Sequence, residues 1–166
     1  MTRLTVSNSD SLQLAVTINQ EMEMKAGELM TSEPACCTPE DTIRRAAELM
    51  QTCDCGCVPV VGEDRRLVGV VTDRDLAIRA TARGKGPETR VLDVMSTGVC
   101  TCRSDDDLGT VEGIMAREQV RRVPVVDQDG CCIGMISQAD LALNSSAASD
   151  VEVGRVVERI SEPAHA

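Results

Sequence analysis

The chain has 166 residues, a net charge of −10 and no Phe, Tyr or Trp. That length accommodates one compact domain, or two small units fused into one, and excludes a two-domain enzyme. The acidic balance, spread over both halves, excludes a nucleic-acid surface, which must present clustered Lys and Arg to phosphates.

Along the chain, the polar stretch 1–10 lacks a signal-peptide run and no segment approaches the ~20 apolar residues that span a bilayer, so the expected location is the cytoplasm, with no membrane partner. Residues 1–24 form an N-terminal extension in which Leu12, Leu14, Val16 and Ile18 alternate with polar or small neighbours. This suits an added edge strand or a dimer arm; alternatively the folded unit starts at Met24 and the tail is incidental.

A first repeat unit spans 25–82. Asp41 is placed to cap a helix whose apolar face comprises Ile43, Ala46, Ala47, Leu49 and Met50. A short buried strand follows at 58–61, then a polar turn at 62–65, an apolar strand at 67–71 and a helix opening near Asp73. Residues 83–90, with Gly84, Gly86 and Pro87, read as a linker. The second unit, 91–147, repeats the order with Leu108, Val111, Ile114 and Met115 on its helix, strands at 123–126 and 133–136, and a turn at 127–130. In the last segment, 148–166, Val151, Val153, Val156, Val157 and Ile160 fit a short amphipathic helix closing against the module or a partner.

The two units stand in register at a constant offset of 65 without a gap. Met30 matches Met95, Cys37 matches Cys102, Asp41 matches Asp106 and Met50 matches Met115. Val58-Pro59-Val60-Val61 matches Val123-Pro124-Val125-Val126, Gly69 matches Gly134, and Asp75-Leu76-Ala77 matches Asp140-Leu141-Ala142. Two copies of a strand–helix–strand–strand–helix unit, each too small to fold well alone, are expected to pack as a pseudo-twofold pair of α/β (α+β) architecture.

Thr72 and Asp75 sit one helical turn apart at a strand-to-helix junction, and Ser137 and Asp140 repeat the pair. A carboxylate there can accept from a ribose diol, while the hydroxyl and the free N–H groups of the new helix face phosphate. The alternative role of each pair is to cap its helix. Arg74, Arg121 and Arg122 are the cations available for phosphate; the alternative for them is solvated surface charge. Gly56, Cys57 and Ala139 at the matching positions make the two clefts unequal. With no aromatic ring, Val58, Pro59, Val123 and Pro124 are the candidate walls for a base, alongside ordinary core packing.

Gly-Val-Val-Thr-Asp-Arg-Asp-Leu at 69–76, Gly-Met-Ile-Ser-Gln-Ala-Asp-Leu at 134–141 and the preceding Val-Pro-Val-Val strands resemble the CBS repeat family. Paired repeats of that family form a Bateman module. The resemblance covers roughly 24–163. It implies a regulatory binding module without chemistry of its own, whose clefts accept AMP or ATP, with S-adenosylmethionine, NAD or a cyclic dinucleotide as alternatives. It also implies the Asp on the ribose and the Thr or Ser toward phosphate, a homodimer, and an unidentified regulated protein as partner. No cofactor is required.

The odd count of nine cysteines in a chain without a secretion signal reads as reduced thiols. Cys53, Cys55 and Cys57 would point to one side of an extended segment, making a metal or redox sensor on the same fold the alternative function; zinc, however, wants four Cys or His ligands, and the sole histidine is His165 in the tail. A structural dimerisation module without ligand is the third reading. No Ser/His/Asp set, Walker loop or Gly-x-Gly-x-x-Gly loop suggests an enzyme.

Overall fold

The computed structural model describes residues 24–144, together with Gly154 and Glu158. The expected N-terminal arm around Leu12–Ile18 and the apolar face of the C-terminal helix lie outside the described residues.

The elements run α1 (Ala26–Leu29), β1 (Thr31–Ser32), α2 (Ile43–Thr52), β2 (Cys57–Val61), β3 (Leu67–Thr72) and α3 (Asp73–Asp75). The helix of α3 continues as a wider π turn over Leu76–Ala80 and a 3₁₀ turn over Thr81–Arg83. After a 3₁₀ turn at Val91–Asp93 come β4 (Cys102–Arg103), α4 (Leu108–Glu118), β5 (Arg122–Val126), β6 (Cys132–Ser137) and α5 (Gln138–Asn144).

The helix starts lie one residue later than the acids suggested. Thr42 caps α2, its hydroxyl accepting from the Arg45 N–H at 3.2 Å, and Asp107 caps α4, accepting from Thr110 at 2.7 Å. Asp41 and Asp106 instead close the preceding turns, accepting from the N–H groups of Thr38 and Arg103 at 2.7 and 2.8 Å. Both roles use the same carboxylate chemistry, and only the chain geometry decides between them. The buried stripe of α2 is Ile43, Ala46 and Met50; Ala47 sits on the exposed flank, outside that narrow seam.

All five residues of β2 are buried, as an uninterrupted apolar run requires. It pairs antiparallel with β3, Cys57 opposite Thr72 and Pro59 opposite Val70. The second hairpin repeats this register, Arg122 opposite Ser137 and Pro124 opposite Met135, with β4 added in parallel beside β5 and β1 antiparallel beside β6.

Each repeat is completed by the segment that precedes the other one. Ala26 and Gly27 donate to the carbonyls of Asp106 and Ser104 at 2.9 and 2.8 Å, and β1 lies on β6 with Thr31 opposite Met135. The offset of 65 reproduces the exchange in the other direction: Val91 donates to Asp41 at 2.8 Å, and Val70 and Ser96 exchange both backbone bonds, at 3.0 and 2.8 Å. Two cores result. Ala26 and Leu29 pack with Val111, Met115, Val123, Ile136 and Leu141; Val91 and Val94 pack with Ile43, Met50, Val58, Val60 and Val71. On the pseudo-twofold itself, Arg66 pairs with Cys131, flanked by the symmetric bonds Leu67 to Gly130 (3.0 Å) and Cys132 to Arg65 (3.2 Å). The expected tandem packing is thus an exchange, because a short helix and two strand residues bury too little surface to be held by local contacts.

Candidate functional site

A cleft of about 1050 Å³ opens where the two hairpins meet, at the upper end of the ~300–1,000 Å³ usual for ligand pockets. Matching positions from both repeats line it: Gly56 and Arg121, Cys57 and Arg122, Val70 and Met135, Thr72 and Ser137, Asp73 and Gln138, Arg74 and Ala139. The cleft therefore straddles the pseudo-twofold, between the two repeats. The loop 97–100 and the end of α4 with the Gln119 turn complete the wall.

Of the residues expected from sequence, Thr72, Ser137, Arg74, Arg121, Arg122 and Pro124 line this cleft. Val58 and Val123 do not; they are 1% and 0% exposed in the two cores. Pro59 is equally enclosed. Val58 and Val123 point into the two cores and Pro59 is enclosed beside them, so the expectation that these three wall a base is corrected to core packing. Val70, Met135 and Val120 supply the aliphatic surface of the cleft instead.

Asp75 and Asp140 do not line the cleft either; each holds the hydroxyl residue that does. Asp75 accepts from the Thr72 N–H and hydroxyl at 3.0 and 2.7 Å, and its own N–H donates back to that hydroxyl at 3.1 Å. Asp140 accepts from the Ser137 N–H and hydroxyl, both at 2.7 Å. These are reciprocal caps that fix the junction and spend the hydroxyl proton internally. The N–H groups of the α3 start are taken as well, Asp73 donating to the Gly56 carbonyl at 3.1 Å and Arg74 to the Asp73 carboxylate at 2.7 Å, so what remains toward the cleft is the hydroxyl oxygen.

The cleft's charge is unequal across the pseudo-twofold, as Arg74, Arg121 and Arg122 face it against Asp73 and Glu118. Glu118 pairs with Arg117 at 2.8 Å, and Asp73 accepts from the Arg74 N–H at 2.7 Å. The three guanidinium groups make no ion pair within the described residues, leaving their donors to solvent or a ligand.

Sequence reasoning missed Arg79. Its guanidinium pairs with Asp75 at 3.2 Å and donates to the carbonyls of Val94 and Met95 and the hydroxyl of Ser96 at 2.9, 3.0 and 3.0 Å. It ties the first cap to the exchanged segment that leads into loop 97–100. The signal available was its spacing, four residues after Asp75 on one helical face; Asn144 stands at the matching position, so the tie exists once.

This two-copy arrangement matches a known family model, that of the CBS domain, over residues 26–80 and 91–146. The chain belongs to the CBS domain family. The CBS domain-containing protein YhcV of Bacillus subtilis is 39% identical over 132 residues, 80% of this chain and 91% of that one. Hypoxic response protein 1 of Mycobacterium tuberculosis is 30% identical over 118 residues, 70% of this chain and 82% of its own. A crystal structure of Hypoxic Response Protein I with two coordinated zinc ions has a TM-score of 0.67, covering 72% of this chain and 98% of that one at 30% identity. That of CBSX2 in complex with AMP has a TM-score of 0.65 at 26% identity, covering 73% and 95%.

The zinc of the first of these structures has no matching donor set among the described residues, where no three His, Cys, Asp or Glu side chains come together. The expected one-sided row of Cys53, Cys55 and Cys57 is absent because α2 runs up to Cys53, which caps its end, and Asp54 turns at φ 49°. Cys53 is exposed, Cys55 half-buried and Cys57 buried in β2. Burial pushes the Cys57 thiol up to about 12.

Among the described residues no helix is long and apolar enough to cross a membrane.

Proposed function

We propose that this CBS pair is a regulatory module that binds an adenosine nucleotide, AMP or ATP, in the cleft between its repeats and performs no chemistry on it. The observation that carries the reading is the convergence of Arg74, Arg121 and Arg122, none of them paired within the described residues, on a cleft with aliphatic walls. Three guanidinium groups suit the oxygens of a phosphate chain, which they meet through paired N–H donors. The base lies against Val70, Val120 and Met135, since the chain has no ring on which to stack it. The AMP held by CBSX2 supports the same ligand class.

In this proposal Thr72 and Ser137 orient the phosphates at the two helix starts, and Asp75 and Asp140, behind the cleft wall, hold those hydroxyl residues in place through the caps. S-adenosylmethionine, NAD and cyclic dinucleotides are the competing ligands. Binding shifts a homodimer between two arrangements read by a regulated protein, and Ile78 and Leu92, 47% and 45% exposed, are the apolar surface a second copy would cover.

The test is calorimetric titration of AMP and ATP into the protein and into Arg121→Ala and Arg122→Ala. Loss of one charge-assisted contact weakens affinity roughly tenfold to a hundredfold. Equal affinity in wild type and both variants contradicts the proposed phosphate site.

A further inference from the structure

The two halves of the cleft share a backbone and differ in charge. Asp73 donates its N–H to the Gly56 carbonyl at 3.1 Å, and the register partners repeat the bond, Gln138 to Arg121 at 2.9 Å. Both pairs line the cleft. The strand start and the helix start are therefore joined in the same way on either side, and only the side chains laid on them distinguish the halves.

In the second half Arg121 and Arg122 stand beside the neutral Gln138, two cations with no acid. In the first half Gly56 and Cys57 stand beside Asp73 and Arg74, one acid with one cation. The acid lies where the repeat register calls for a cation. A Cβ at Gly56 would fall 2.7 Å from the Asp73 Oδ2, so the direction a side chain takes from that backbone position, which Arg121 uses in the second half, is filled by the Asp73 carboxylate.

Among the described residues two acids line the cleft, and they are not equivalent. Glu118 is held by Arg117 at 2.8 Å. Asp73 is exposed and has no ion pair within the described residues. Its Oδ1 accepts from the Arg74 N–H at 2.7 Å, and its Oδ2 is the oxygen over Gly56. A carboxylate without a counter-ion keeps its repulsion for any phosphate that enters beside it.

We propose that Asp73 is the specificity-determining residue of the cleft. Its charge turns the phosphate end of the nucleotide toward Arg121 and Arg122 on the second repeat, and it limits what each added phosphate gains from the three arginines. The inference rests on the nucleotide reading of the cleft given above. ATP carries more negative charge than AMP, so the repulsion falls more heavily on ATP and narrows the difference between the two ligands.

The test titrates ATP and AMP calorimetrically into the wild type, Asp73→Asn and Asp73→Gln, with Glu63→Gln as the control and circular dichroism as the check on folding. Asp73→Asn removes the charge and keeps an oxygen for the Arg74 N–H; Asp73→Gln installs the residue of the second repeat. Glu63 is an exposed acid in the turn between β2 and β3 and does not line the cleft. The expected result is ATP binding tightened about three- to tenfold in both Asp73 variants, AMP binding tightened less, and a gain that shrinks as salt rises from about 0.05 to about 0.5 M. Glu63→Gln gains less than about twofold, since its charge is screened by the intervening solvent. ATP binding by the wild type with no gain in either Asp73 variant, a gain indifferent to salt, or an equal gain in Glu63→Gln overturns the inference and leaves the nucleotide reading standing. Weaker ATP binding in the Asp73 variants overturns it too, by showing that the carboxylate accepts from the ligand. No ATP binding by the wild type or by either Asp73 variant overturns both.

Discussion

Asp75 is 8% exposed and charged, and such a residue persists inside a fold only with partners. It has three, the N–H and hydroxyl of Thr72 and the guanidinium of Arg79. Thr72→Ala removes the cap and strands one carboxylate contact; the expected cost is about 1–2 kcal/mol, a drop of several degrees in thermal midpoint, with Ser137→Ala costing a similar amount. An unchanged midpoint in both variants would show that the caps are set by packing alone. The pairs themselves were legible in the sequence, from a hydroxyl and an acid at fixed spacing in both copies. Which group they serve was not, because a carboxylate that can accept from a ribose can equally accept from its own helix start.

At the same scale, the buried thiols make the fold sensitive to alkali. Cys37, Cys57 and Cys102 are pushed from an ordinary 9.0 up to about 12, 12 and 11 by burial. Their stabilising contribution is complete below about pH 9, where folded and unfolded chains both hold the proton. Above it the unfolded chain releases protons first, so stability falls as pH rises toward 11 and 12. Thermal midpoints measured from pH 8 to 11 should decline, and Cys102→Ala, whatever its midpoint at pH 8, should decline less steeply. A flat profile in the wild type would contradict the burial assigned to these side chains.

Among the elements, β3 and β6 each carry a glycine facing an exchanged segment, and the two obstacles differ. A Cβ at Gly69 would overlap the carbonyl oxygen of Ser96, which is backbone; one at Gly134 would overlap only the flexible side chain of Met30. Gly69→Ala is therefore expected to cost on the order of 1–3 kcal/mol, and Gly134→Ala distinctly less. Denaturant unfolding of the two variants measures the difference, and equal losses would sink the account of the exchange. Strands and helices were readable from period and from the punctuation of Gly and Pro. The exchange was not, since it rests on backbone bonds such as Ala26 to Asp106, which leave no mark on side-chain pattern. The offset of 65 carried the hint only in the sense that both copies had to solve the same problem.

For the whole molecule, exchange makes the two cores interdependent, each being closed by residues that precede the other repeat. Differential scanning calorimetry should show a single cooperative transition, with calorimetric and van't Hoff enthalpies equal. Two resolved transitions would mean that the repeats close independently. The same closure explains why six of the residues expected at the cleft line it while Val58, Pro59 and Val123 lie in the cores and Asp75 and Asp140 behind the wall: a run of apolar residues announces burial without telling which surface covers it.

The central claim is that the three arginines of the cleft hold the phosphates of an adenosine nucleotide, and it is tested most directly by titrating ATP and AMP calorimetrically into wild type and into the triple variant of Arg74, Arg121 and Arg122 to Ala. The account predicts one saturable site per cleft in the wild type, tighter for the ligand with more phosphates, and its loss in a triple variant that keeps the wild-type circular dichroism spectrum. Undiminished binding by the folded triple variant, or no heat from either nucleotide with the wild type, would contradict it.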